Sequence, residues 1–229
     1  MNEDMKKGLE PSLKRMLTTL ESKVIPSHTA VIVVDMQNDF CAKGGMLDKE
    51  GANLEMIQAM APRLVDFIDR AREAKATLIF IQSIYNSVGN RYLSDVWLEQ
   101  FTRIGRGGYI DYPVCERNSW NAGFYDGINP LPDEIIVNKH RYSAFIDTDL
   151  DLILRNKGIR TLIMAGVGTG ICVESTARDG FMKDYYIVML KDCTASPSEK
   201  AHINTHRTMA LNFGESVDSG DVIRYWQKA

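Results

Sequence analysis

Nowhere in the 229 residues does an apolar run approach the roughly 20 residues needed to span a bilayer, which excludes a membrane-spanning role. The opening stretch, Met1-Asn-Glu-Asp-Met-Lys-Lys, lacks the hydrophobic core of a secretory signal. Cysteine is sparse. Cys41, Cys115, Cys172 and Cys193 are scattered with no CxxC pair, which argues against a disulfide frame or a zinc site and for reduced thiols in a cytoplasm. A basic surplus is also missing: 27 Lys and Arg face 30 Asp and Glu, the wrong balance for a nucleic-acid binder. Only four histidines occur, and His28, His140, His202 and His206 form no ligand cluster. No tandem repeat or low-complexity segment is present. What remains is the composition of a soluble globular protein, 45% hydrophobic and 25% charged. Its length suits one domain over residues 1–229, with 1–27 as a helical N-terminal extension.

Short β-branched runs alternate with helix-period stretches, the pattern of a parallel sheet covered by helices on both faces. The runs predict strands at Thr29–Val34, Thr77–Gln82, Glu134–Asn138, Thr161–Ala165, Tyr186–Leu190 and Ser216–Val217. Their nearly continuous apolar character fits burial on both faces. Helices are expected at Asn53–Ala74, Asp149–Lys157, Cys172–Asp184, Ser198–Phe213 and Ser219–Gln227, with Thr148 and Asp151 as a capping box. Ahead of the first strand, Leu13, Met16, Leu17 and Leu20 form one apolar stripe on a predicted helix over Pro11–Ser22, to be packed on the domain or on a second subunit. Between Ile104 and Pro132 the periodicity fades. Five glycines, three prolines and the aromatics Tyr109, Tyr112, Trp120, Phe124 and Tyr125 predict an ordered lid or a surface that meets a neighbouring subunit.

In an open parallel sheet, ligands bind beyond the carboxyl ends of the strands. Three of those ends carry chemistry. The first runs into Asp35, the third into Lys139, and the fourth into Gly166-Val-Gly-Thr-Gly-Ile-Cys172, a glycine-rich turn leading to a helix. A thiol at a helix start sits among unpaired N–H groups, which favours the thiolate and can hold an oxyanion. Each residue alone has a plain reading: Cys172 as a small buried side chain, Asp35 as a turn cap, Lys139 as a solvated charge. Together they supply a nucleophile, an adjacent base and a cation that supports both charges.

The blocks Val34-Asp-Met-Gln-Asn-Asp-Phe40, Lys139 ahead of Arg141-Tyr-Ser-Ala-Phe145, and Gly166 to Gly180 around Cys172 resemble the cysteine hydrolases of the isochorismatase-like superfamily, over nearly the whole chain from Thr29. The resemblance implies a three-layer α/β/α sandwich around a six-stranded parallel sheet in the order 3-2-1-4-5-6. It implies Asp35 as base, Lys139 as supporting cation and Cys172 as nucleophile. It also implies a cis peptide at Val167–Gly168, with the amides of Gly168 and Cys172 as the oxyanion hole. Phe40 matches the family's aromatic pocket position, and Gln82, Trp120 and Tyr142 are the other expected substrate contacts. Arg178 is expected to be a structural anchor. Nicotinamidases of the superfamily carry an Asp-x-His metal motif after the second strand, where this chain reads Gln82-Ser-Ile-Tyr-Asn-Ser87, so neither metal nor cofactor is expected. The chain is most similar to ureidoacrylate amidohydrolases, which implies a small N-carbamoyl amide as substrate and a homo-oligomer, dimer or tetramer. A nicotinamidase or isochorismatase-type reaction, or a retired homologue that only binds, stays open as the alternative.

Overall fold

The computed structural model describes residues 3–228. Six strands, β1 (Thr29–Val34), β2 (Thr77–Ser83), β3 (Ile135–Lys139), β4 (Thr161–Val167), β5 (Tyr186–Ala195) and β6 (Gly214–Val217), form one sheet. All its pairings are parallel, in the order β3-β2-β1-β4-β5-β6. Eleven α-helices surround it among the described residues: α1 (Glu3–Arg15), α2 (Leu20–Lys23), α3 (Asn38–Cys41), α4 (Met46–Lys49), α5 (Glu55–Glu73), α6 (Asp95–Arg103), α7 (Gly108–Asp111), α8 (Leu150–Asn156), α9 (Glu174–Met182), α10 (Glu199–Asn212) and α11 (Ser219–Trp226).

Strand periodicity sorts the core into two layers. Val31, Val33, Leu78, Phe80 and Ile163 face α5 and α11, where Phe67 stacks on Trp226. Ala30, Ile32, Ile79, Ile81 and Met164 face α8, α9 and α10. Every residue of β1 and β4 is buried, as strands covered on both sides must be. These two are the central neighbours, and the chain leaves them in opposite directions, so the topological switch point lies between their carboxyl ends.

Three expectations change. The N-terminal helix is two: Pro11 lies inside α1, and the chain breaks at residues 16–19 before Thr19 caps α2 through Ser22. The apolar stripe is split accordingly, Leu13 and Met16 staying exposed while Leu20 packs on the main core. Thr148 and Asp151 form no capping box. Thr148 Oγ1 instead donates to the Ala144 carbonyl, and Asp151 receives Tyr185 and Arg155. The predicted 172–184 helix opens as a π-turn, Thr169–Val173, before α9. The segment 104–132 is ordered. It contains α7 and buries Tyr109, Val114, Cys115 and Ala122 in a third apolar cluster with Tyr85. Backbone bonds sew it to the stretch after β1: Asn38 N to Gly123 O, Asp39 N to Asn121 O, and Tyr125 N to Met36 O.

Candidate active site

Asp35, the first residue beyond β1, has φ of 52°, a left-handed conformation in which few side chains other than glycine rest without a reason. Its amide donates to the Ile81 carbonyl, and its own carbonyl receives the amide of Gln37. The turn aims the carboxylate across the ends of β2 and β3. There Ser83 and Lys139 are register partners, so their side chains stand side by side. The Lys139 ammonium lies 2.8 Å from Asp35 Oδ2 and donates to Ser83 Oγ at 2.8 Å and to the Arg141 carbonyl at 3.1 Å. Ser83 Oγ in turn donates to Asp35 Oδ1 at 3.0 Å. Lys139 is wholly buried, and Asp35 nearly so.

Cys172 completes the cluster from the far side of the switch point, with Sγ 3.5 Å from the Lys139 ammonium. Its turn fits because Gly166, paired with Val34 in register, has φ of 106°, and a Cβ there would stand 2.1 Å from the Val34 carbonyl oxygen. Only glycine allows that approach. The Val167–Gly168 peptide is cis, and the Gly168 carbonyl accepts from the amides of Ile171 and Val173 on either side of Cys172.

The electrostatics differ from the thiolate expectation. Burial pushes the Cys172 thiol up; Lys139 pulls it down and Asp35 pushes it further up, leaving it well above the ordinary thiol range. Burial pulls the Lys139 ammonium down, but Asp35 and, once ionised, Cys172 more than offset this and raise it. A thiol held up in this way stays protonated beside the Lys139–Asp35 pair.

The remaining expected residues divide. Gln82 is half-buried, and its Nε2 donates to the Ala122 carbonyl at 2.8 Å. Strand parity puts it on the α5 side with Leu78 and Phe80, whereas Ser83 follows Ile79 and Ile81 toward Cys172. Counting parity along β2 would have singled out Ser83. Phe40, on α3, packs between the main core and the third cluster. Tyr142 donates its hydroxyl to Gln100 Oε1 at 2.8 Å, and its ring lies 4.6 Å from that of Trp97. Trp120 stays outside the group with 55% of its surface exposed; its carbonyl accepts from Asn38 Nδ2 and from the Gly123 amide. Arg178 pairs with Glu174, its guanidinium 4.4 Å from the centre of the Phe213 ring.

Three buried residues go beyond the motif reading. Gln37 clamps Ser83, accepting its amide at Oε1 and giving Nε2 to its carbonyl and to that of Ala122. Asp39 accepts the amides of Met46 and Cys115, fixing the wall of the site. The Tyr85 ring lies beneath the Lys139 ammonium, 5.8 Å from Nζ. Among the described residues no group of three or more His, Cys, Asp or Glu is placed to hold a metal ion.

Residues 29–221 match the isochorismatase domain family. The chain belongs to the isochorismatase family. As an isochorismatase-family hydrolase it is 35% identical over 176 residues to the ureidoacrylate amidohydrolase RutB of Caulobacter vibrioides, covering 75% of this chain and 78% of that protein. Among solved structures, a cysteine hydrolase from Pseudomonas syringae pv. phaseolicola superposes with a TM-score of 0.73 at 28% identity, over 89% of this chain and 94% of that one. The N-carbamoylsarcosine amidase of Thermoplasma acidophilum does so with a TM-score of 0.65 at 26% identity, over 83% and 95% respectively. No described helix of this family member is long and apolar enough to cross a membrane.

Proposed function

We propose that the chain is a cysteine amidohydrolase that cleaves the C–N bond of a small N-carbamoyl compound through a thioester. The observation that carries this reading is the Lys139 ammonium lying between Asp35 Oδ2, at 2.8 Å, and Cys172 Sγ, at 3.5 Å, in a buried cluster. Asp35 Oδ1 is engaged by Ser83, while Oδ2 faces the ammonium and accepts no aligned hydrogen bond, so a lone pair is free to take a proton. The thiol proton passes to Asp35 as sulfur attacks the carbonyl carbon, and the carbonyl electrons move to oxygen. Transfer during the attack suits a thiol that burial keeps protonated at rest. The amides of Gly168 and Cys172 receive the oxyanion. As the C–N bond breaks, the amine leaves with the proton from Asp35. Asp35 then draws a proton from water, which attacks the thioester and frees the thiol. Lys139 remains charged throughout and offsets the charge as it moves between carboxylate, sulfur and oxyanion.

The substrate class is supported by two relatives whose names specify ureidoacrylate and N-carbamoylsarcosine, both N-carbamoyl compounds. The test is ammonia release from a panel of ureido acids, other small amides and nicotinamide. Cys172→Ala is expected to retain its circular dichroism and thermal midpoint and to lose turnover by roughly a thousandfold or more. Wild-type rates in that variant would remove the cysteine mechanism.

A further inference from the structure

Two hydrogen-bond donors over the site have no partner among the described residues. Nε1 of Trp97 and Nε2 of Gln100 are both closed off from solvent and meet no acceptor among the described residues. The two residues are three apart on α6 and so share a helix face. That face looks onto the aromatic roof of the catalytic cluster. The Trp97 ring lies 4.6 Å from Tyr142 and 5.9 Å from Tyr85, whose ring in turn lies 5.8 Å from the Lys139 ammonium. Gln100 is held in place because its Oε1 accepts the Tyr142 hydroxyl, leaving the NH2 group to point elsewhere. An indole N–H can only donate. Buried donors in folded proteins are nearly always paired, so two on one helix face call for an acceptor that the chain does not provide.

Charge narrows what that acceptor is. The Arg141 guanidinium lies 5.2 Å from the Trp97 ring. It donates to the carbonyls of Tyr92 and His140 and forms no ion pair among the described residues. The neighbouring Lys139 charge is already matched by Asp35. Under α6 there is thus one uncompensated positive charge beside two unpaired donors.

We infer that Trp97, Gln100 and Arg141 form the subsite for a carboxylate on the substrate. The two N–H groups donate to its oxygens, and the guanidinium sets the preference for an anion. The inference rests on the amidohydrolase reading and deepens it, making the substrate a ureido acid in preference to a neutral amide. Helix α6 is then both roof and specificity element, and substrate binding completes its hydrogen bonding.

The test is calorimetric binding of ureidoacrylate and of its neutral methyl ester to the Cys172→Ala protein, which holds both without turnover. The acid is expected to bind at least about tenfold more tightly than the ester, as for a charge-assisted pair. Trp97→Phe keeps the ring and removes the donor; Gln100→Leu removes the other. Each is expected to weaken acid binding roughly tenfold to a hundredfold and ester binding by less than about threefold. Equal binding of acid and ester, no binding of the acid, or acid affinity unchanged in both variants overturns the subsite. Ammonia release by protein with Cys172 intact separates this from the parent reading. Turnover that ignores the carboxylate sinks the subsite alone, whereas preferential acid binding without turnover upholds the subsite and sinks the cysteine mechanism.

Discussion

Lys139 donates its three N–H groups to Ser83 Oγ, the Arg141 carbonyl and Cys172 Sγ, and Asp35 Oδ2 stands 2.8 Å away as an unaligned fourth partner. Three hydrogens facing four electron-rich atoms let the ammonium redirect a bond when charge moves, without displacing the side chain. The same residue separates structural from chemical roles. Lys139→Met leaves Asp35 buried without its cation and is expected to lower stability by about 3–5 kcal/mol, a fall in thermal midpoint on the order of 10 °C. Adding Asp35→Leu removes the stranded charge, so the double variant should regain much of that stability in thermal melts while remaining inactive. A double variant as unstable as the single one would mean that the pair is not the cause. At this scale the sequence was legible wherever chemistry is unusual: an acid, a lysine and a thiol at three strand ends. Gln37 and Ser83 were not, because a buried glutamine clamp and a strand-end serine carry no chemical signature apart from parity and register.

The elements that were legible owe it to periodicity. Thr29–Val34 is read off directly because all six residues are apolar or β-branched and all six are buried. The weaker reads have physical causes. β5 runs on to Ala195 because the ladder shifts register between Met164 and Gly166, pairing Gly166 with Thr194 past the polar Lys191-Asp192. α6 went unread although Trp97, Leu98 and Phe101 give it an apolar face and Ser94 caps it through the Trp97 amide, both signals present in the sequence. Gly166 offers the sharpest test of an element boundary. Gly166→Ala places a methyl against the Val34 carbonyl at positive φ and is expected to cost at least about 3 kcal/mol in equilibrium denaturation. A loss within about 0.5 kcal/mol would show that β4 can move away from β1 at this point.

For the molecule as a whole, stability carries a pH dependence that the site does not set. His206 of α10 is buried against Thr194 of β5 and Ser216 of β6, and burial, with smaller contributions from His202 and Lys191, lowers its pKa from 6.5 to about 4. The unfolded chain therefore takes up this proton first as pH falls. The stabilisation from a neutral His206 is full above about pH 6.5 and is lost progressively down to about pH 4, on the order of 3 kcal/mol. His206→Gln should flatten urea-derived stability across that interval; an unchanged slope would assign the acid sensitivity to other groups. The strand order also divides the catalytic cluster. Asp35, Ser83 and Lys139 all belong to the β1-β2-β3 half, and Cys172 alone comes from the β4-β5-β6 half. The seam between β1 and β4 is consequently an alignment gauge. A slip of one residue along it moves a strand by about 3.3 Å, nearly the whole 3.5 Å between the ammonium and the sulfur. Turnover would then report the register of the central strands, so a variant that loosens the seam should lose activity before it loses its helices or its core.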